Sequence, residues 1–275
     1  MLDIEETIQI HFNSRYANNY VNDSISNCEF YLPLVEVPPQ HQIYLSVISG
    51  SIPYTFYNID ANNNYLEYFI NISGTDYQYD FTITSGNYNV YQLLAYLKSQ
   101  LPSEFTITYD IITNKFKFVH STYNFGFVSN TSTALELLGF KQNSDYSIAN
   151  LSIVSFNKIL NSQYCINLQS KHCICVAINY QTGNLNYSNK LMSNILASIP
   201  ITGAPYSMIT YKNPSGYKAN LYKNTLSYLK IKIIDQNNNI VDLNGCHWTM
   251  TLQMDIVKFV EKFKIKIYLK DIRKI

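Results

Sequence analysis

Apolar and polar residues alternate with a period of two along most of this chain. Thr7-Ile8-Gln9-Ile10-His11-Phe12, Gln42 to Ser49, Phe105 to Tyr109, Lys115 to Val119, Tyr228 to Ile234 and His247 to Ile256 all carry the pattern. In an extended strand successive side chains point to opposite faces, so such runs predict half-buried β-strands. Cys28 to Leu32 reads as a further strand that Pro33 stops, and Val37-Pro38-Pro39 as a rigid connector. Ser152 to Phe156, Tyr164 to Leu168, Cys173 to Ile178, Asn194 to Ile201 and Ser207 to Tyr211 complete the strand set. Polar clusters separate them, among them Asp60 to Asn64, residues 179–189 and Asp235 to Asn239. Asn, Ser and Gly favour turns because they bond their own backbone or tolerate left-handed φ.

The middle of the chain has a different character. Leu66 to Ile72 and Tyr79 to Ile83 read as paired strands. Val90, Leu93, Leu94 and Leu97 then recur at helical spacing, with Asn89 placed to cap the helix and Pro102 to limit it. A hairpin over 105–119 follows, and Thr133 to Phe140 reads as a short helix closed by Gly139. Residues 64–142 thus read as a β-β-α-β-β-α unit. The expected architecture is mainly β: a sandwich or jelly roll from residues 1–62 and 143–260, a small α+β subdomain inserted at 64–142, and a C-terminal segment, 261–275.

Composition supports the strand reading. The 275 residues include 25 Tyr and 14 Phe, and only 14% are charged. Aromatic and β-branched residues suit a pleated, half-buried surface. The net charge of +1 gives the molecule as a whole no steering toward nucleic acid. Its distribution is uneven, however. Lys258, Lys262, Lys264, Lys266, Lys270, Arg273 and Lys274 stand against Glu261 and Asp271, which is +5 over residues 256–275 and leaves −4 for the rest. A basic end on an acidic body is a partner signal; a solvated terminal strand has the same composition. The first residues, MLDIEETIQI, form no charged-then-apolar leader, and no stretch approaches a bilayer span. With five irregularly spaced cysteines this reads as a soluble protein with free thiols in a reducing compartment.

Residues that could carry chemistry are few. Phosphate-binding glycine loops and the G-x-S-x-G nucleophile motif are missing from the sequence. His172-Cys173-Ile174-Cys175 is the densest metal-ligand candidate, but in a strand Cys173 and Cys175 share a face that His172 does not. Two small thiols in a core explain that run better than zinc. Cys246 and His247 are adjacent and so diverge on a strand, which argues against a thiol–imidazole pair. Trp248, the sole tryptophan, reads as a core or interface anchor. No catalytic, cofactor-binding or metal-binding residues are assigned, and no cofactor is expected.

Several segments resemble a known group. Gly86 to Leu94, Phe105 to Asp110, Thr113 to Phe118 and Leu135 to Phe140 look like minor capsid and penton proteins of virophages, polinton-like viruses and some giant-virus relatives. The resemblance continues in Ile195 to Pro205, Leu229 to Asp235, Leu243-Asn244-Gly245 and Trp248 to Leu252. It implies a single jelly roll and no enzyme activity. It also implies a homopentamer at the icosahedral vertices of a double-stranded DNA virus, made in the host cytoplasm. The implied partners are sister subunits, the major capsid protein and other minor capsid proteins. Another cement protein, or a receptor- or glycan-binding spike module, are the alternatives. The basic C-terminal segment has no counterpart in the resemblance; in such a capsid its expected contacts are interior DNA, an inner membrane or a neighbouring subunit.

Overall fold

The computed structural model describes residues 3–141, 146–148, 151–153, 157–182, 185–186, 191–192 and 194–258. The protein is mainly β and forms two compact units: Met1–Thr55 with Cys173–Ile275, and Phe56–His172. In chain order the strands used below are β1 (Asp3–Asn13), β2 (Asn27–Glu36) and β3 (His41–Pro53). The second unit supplies β4 (Tyr65–Ile72), β5 (Thr75–Thr82), helix α1 (Val90–Gln100), β6 (Phe105–Asp110), β7 (Lys115–His120), β8 (Asn124–Phe127) and β9 (Ile159–Asn161). The first unit resumes with β10 (Cys173–Ile178), β11 (Ile195–Pro200), β12 (Met208–Lys212), β13 (Thr225–Asp235) and β14 (Thr249–Lys258).

The first unit is a jelly roll. One sheet runs β1-β14-β3-β12 and the other β11-β10-β13-β2, with Asn19–Tyr20 added beside β2. Every pairing is antiparallel. Successive strands switch sheets except at the β10–β11 pair, which is the double Greek-key order of an eight-stranded jelly roll. Alternation sets the register. Ile8, Ile10 and Phe12 of β1 pair with Met254, Leu252 and Met250 of β14, and Leu252 and Met254 pair with Val47 and Leu45 of β3. A one-residue slip would turn this whole row to solvent. Phe12 and Phe30, one from each sheet, meet edge-on with ring centroids 4.8 Å apart. Trp248 is fully buried against Phe30, and its indole N–H donates to the Ile25 carbonyl at 2.8 Å. Pro33 does not stop its strand. β2 continues to Glu36 because this stretch lies at the sheet edge, past the reach of Asn19–Tyr20, where a missing N–H breaks no ladder. The β13 partner bulges between Leu226 and Tyr228.

The second unit holds two three-stranded sheets, β5-β4-β8 and β9-β7-β6, around one apolar cluster. β4 and β5 join through Ser73-Gly74, both at positive φ, the two-residue turn that matches strand twist. Asn89 and Gln92 form a reciprocal capping box at the start of α1, and Leu93 and Leu97 face the core. The expected second helix at 133–140 is a single turn. Leu138 N–H reaches the Ala134 carbonyl, and Phe140 N–H then returns to Leu135, closed by Gly139 at φ 80°. Tyr164 to Leu168 is not a strand either. Its N–H groups go to the carbonyls of Gly139, Asn114 and Leu137, which belong to turns.

This unit extends beyond 64–142 at both ends. Ile59 bridges Gly86, β9 pairs with β7, and Leu160 and Ile166 enter the core. Its two ends are clasped together. The Lys171 ammonium lies 2.6 Å from the Asp60 carboxylate and 3.0 Å from the Tyr57 carbonyl, and Ser170 donates to the Asn58 carbonyl. An insertion whose ends are held together leaves its host strands undisturbed. The segment 261–275 and most of 152–156 lie outside the described residues.

Candidate functional site

The residues with chemical potential are engaged in structure. Cys173 and Cys175 share one face of β10 with their sulfurs 3.9 Å apart, and Cys175 Sγ lies 3.8 Å from Ser198 Oγ. Burial pushes the Cys175 thiol up to about 11, against a small cluster with Ala177 and Ile234. A thiol so raised is a poor nucleophile at neutral pH. Cys28 is likewise lifted by burial to about 12. All five cysteines are free thiols.

Cys246 and His247 precede β14 instead of lying within a strand as expected, and His247 Nδ1 lies 3.0 Å from Ser14 Oγ. That hydroxyl also accepts the Trp248 backbone N–H, so the histidine completes a buried tie between the end of β1 and the start of β14. His120 carried no signal in the sequence pattern. It is buried, and its Nδ1 accepts the N–H groups of Thr122 and Tyr123 at 3.1 and 3.0 Å. Burial pushes its pKa down, which keeps the ring neutral and able to accept. Among the described residues no group of three or more His, Cys, Asp or Glu is placed to hold a metal ion.

The remaining features are surfaces. Among the described residues β1 has a hydrogen-bonded neighbour on one side only, which makes its eleven residues an edge of the sheet. Ile8 and Ile10 of this strand point toward the core but stay half-exposed, and Ile4 is exposed. At the opposite edge Met208 of β12 is exposed, and Tyr206 just before it more so. Over the outer face of that sheet runs an open groove of about 710 Å³. Its floor is small and hydroxyl-bearing (Ser49, Ser51, Thr210, Thr249, Thr251), and His11 and Lys212 stand beside it. On the other sheet Tyr31 and Leu34 are each 66% exposed. In the second unit the β6–β7 turn presents Ile111 and Ile112, at 71% and 91% exposure. Asp110 locks that turn by accepting from Ile112 N–H and from Thr113 Oγ1. Exposed apolar side chains on rigid turns and open strand edges suit contact with other proteins.

Farther along the outer face, Asp255 is fully buried. It accepts from Lys218 Nζ and Thr7 Oγ1, each at 2.6 Å, and from Gln253 Nε2 at 3.0 Å. Burial alone would raise this carboxyl, but Lys218, Thr7 and Gln253 together hold it below its ordinary value. The pair fixes the connection before β13 onto the sheet, where Ala219–Asn220 pairs with β3.

A family model described as "Family of unknown function (DUF5901)" matches residues 39–244. No curated protein matches the chain. Among solved structures, the chain is similar to the mavirus penton protein, with a TM-score of 0.48 and 10% identity over 92% of this chain and 100% of that one. It is also similar to a chain of the Sputnik virophage structure determined by electron cryo-microscopy. There the TM-score is 0.43, with 12% identity over 92% of this chain and 98% of that one.

Proposed function

From the premise that this chain belongs to the family of unknown function DUF5901, we propose that it is a non-enzymatic structural protein of a viral capsid, and specifically the penton that closes fivefold vertices. One observation carries the reading. The eight strands are wound in jelly-roll order, β1-β14-β3-β12 against β11-β10-β13-β2, and a subdomain is inserted between β3 and β10. That is the architecture implied by the resemblance of Gly86 to Leu94, Leu135 to Phe140 and Ile195 to Pro205 to capsid vertex proteins. Physical features of the unit support it. Cys28, Cys175, His120 and His247 serve packing, while among the described residues β1 and β12 form the edges of their sheet and Tyr31 and Leu34 are exposed for contact with neighbours.

A ring of identical subunits needs a heterologous interface, with two different surfaces of each copy in contact. Two differently built edges on one sheet meet that requirement. The partners are then sister subunits and, around the ring, the major capsid protein. Native mass spectrometry of the full chain tests the reading. A species of five times 31.8 kDa is expected. A stable trimer would overturn the penton assignment in favour of another capsid component, and a monomer at every concentration would overturn the assembly reading altogether.

A further inference from the structure

We propose that residues 263–270 of one copy add as an outer strand to the open edge of β1 in a neighbouring copy. The inference rests on the capsid-building reading above and names one of its contacts.

Natural edge strands discourage pairing with charges, Pro or bulges. On β1 the carboxylates of Asp3, Glu5 and Glu6 and the register shift at Ile4/Glu6 are confined to its first four residues, and among the described residues Thr7 to Asn13 has no Lys, Pro, acid or bulge along the edge. Its row of free N–H and C=O groups is a template for an added strand, and the half-exposed Ile8 and Ile10 leave the core layer uncapped beside it. The segment 263–270 alternates Phe263, Ile265, Ile267 and Leu269 with Lys264, Lys266, Tyr268 and Lys270. Laid along β1 with its apolar row inward, it extends the core past Ile8 and Ile10 and turns its lysines outward. Eight residues at about 3.3 Å each span ~26 Å, which fits within the eleven residues of the edge.

Charge matches as well as pattern. β1 opens with Asp3, Glu5 and Glu6, and only Glu5 has an ion pair among the described residues, shared between His41 and Lys258. The three lysines of the segment supply the opposite sign. Lys258, the last described residue of β14, pairs with Asp3 at the acidic end of the sheet. In its own copy the segment would have to cross over the start of β1 and then run parallel to it. A neighbour's β1 can be approached antiparallel, the commoner and slightly more stable pairing.

Light scattering across a concentration series tests the proposal on four chains: the full chain, a chain ending at residue 260, K264E/K266E/K270E, and that triple variant combined with D3K/E6K. The full chain assembles. The truncated and charge-reversed chains need at least tenfold higher concentration, and the double swap recovers to within threefold of the full chain. If the truncated chain assembles as readily as the full one, the proposal is overturned while the capsid reading stands. If the full chain stays monomeric throughout, the capsid reading itself fails. The source of the strand is read by mixing a Gln9→Cys chain with a Lys266→Cys chain and adding a bismaleimide, with the parent protein as control. A cross-linked dimer from the mixture is expected. Cross-linking only within a single chain carrying both substitutions would overturn exchange between copies.

Discussion

Replacing Asp255 with Ala removes the fully buried partner of an ion pair. The carboxylate accepts from Lys218, Thr7 and Gln253 at 2.6 to 3.1 Å, so truncation leaves the ammonium without its counter-charge and two neutral donors without an acceptor. Breaking a buried pair in this way costs about 3–5 kcal/mol. The Lys218 side chain is 21% exposed and regains some water, which places the expectation at the low end, about 3 kcal/mol. For a unit of this size that corresponds to a fall in melting temperature of roughly 6–12 °C. Trp248 is the only tryptophan and is buried in the same jelly roll, so its fluorescence during urea unfolding reports this unit.

Substituting both partners together, as Lys218→Met with Asp255→Leu, removes the stranded charge and should recover at least about 1 kcal/mol of the loss. The pH dependence has a definite sign. The folded carboxyl titrates below its unfolded value of 3.8, so its contribution is complete above that pH and is lost as pH falls through the lower folded value. The gap between parent and D255A must therefore narrow only below about pH 4. A D255A chain within about 0.5 kcal/mol of the parent at pH 7 would refute the assignment of this pair as a structural strap.

Lys171→Met should cost about 1–3 kcal/mol by stranding Asp60, and hydrogen exchange should show faster amide exchange across 57–60 and 170–171. Gly139→Ala places a Cβ 2.3 Å from the Tyr164 carbonyl oxygen at a positive φ, so thermal melts should show a loss of about 2 kcal/mol or more, against a smaller loss of about 1 kcal/mol for Gly216→Ala, which shares the positive φ but has open space around it. Asn89→Ala should cost about 0.5–2 kcal/mol through the lost cap of α1, with Asn89→Ser close to the parent. In a thiol titration at pH 8, Cys165 should react in the native protein, whereas Cys28 and Cys175 should react only after unfolding.

Local physics made much of this fold readable. β14 alternates from Thr249 to Asp255 because one face of its sheet is core and the other is not, and the sequence shows that period directly. The cap at Asn89 and the apolar face of α1 are decided within one helical turn, so they too were legible. The errors lie where distant partners override local preference. Residues 133–140 have helical spacing, but their backbone is claimed by the 164–168 segment after one turn. That segment alternates like a strand yet finds only turn carbonyls to bond. Pro33 stops a strand only where its N–H would have been used, and edge position cannot be read locally. Asp255 looks like an ordinary outward residue until Thr7, 248 positions away, is brought beside it. That Cys173 and Cys175 share a face followed from strand geometry, whereas Cys246 and His247 lie before β14, where that geometry does not apply. The structural use of His120 was not legible, because a turn that aims two N–H groups at one ring nitrogen leaves no periodic trace.

The most direct test is electron cryo-microscopy of the purified full chain, averaged in two dimensions. Closed five-membered rings of β-sandwich subunits are predicted. Isolated monomers, three-membered assemblies or open filaments under the same conditions would contradict the account.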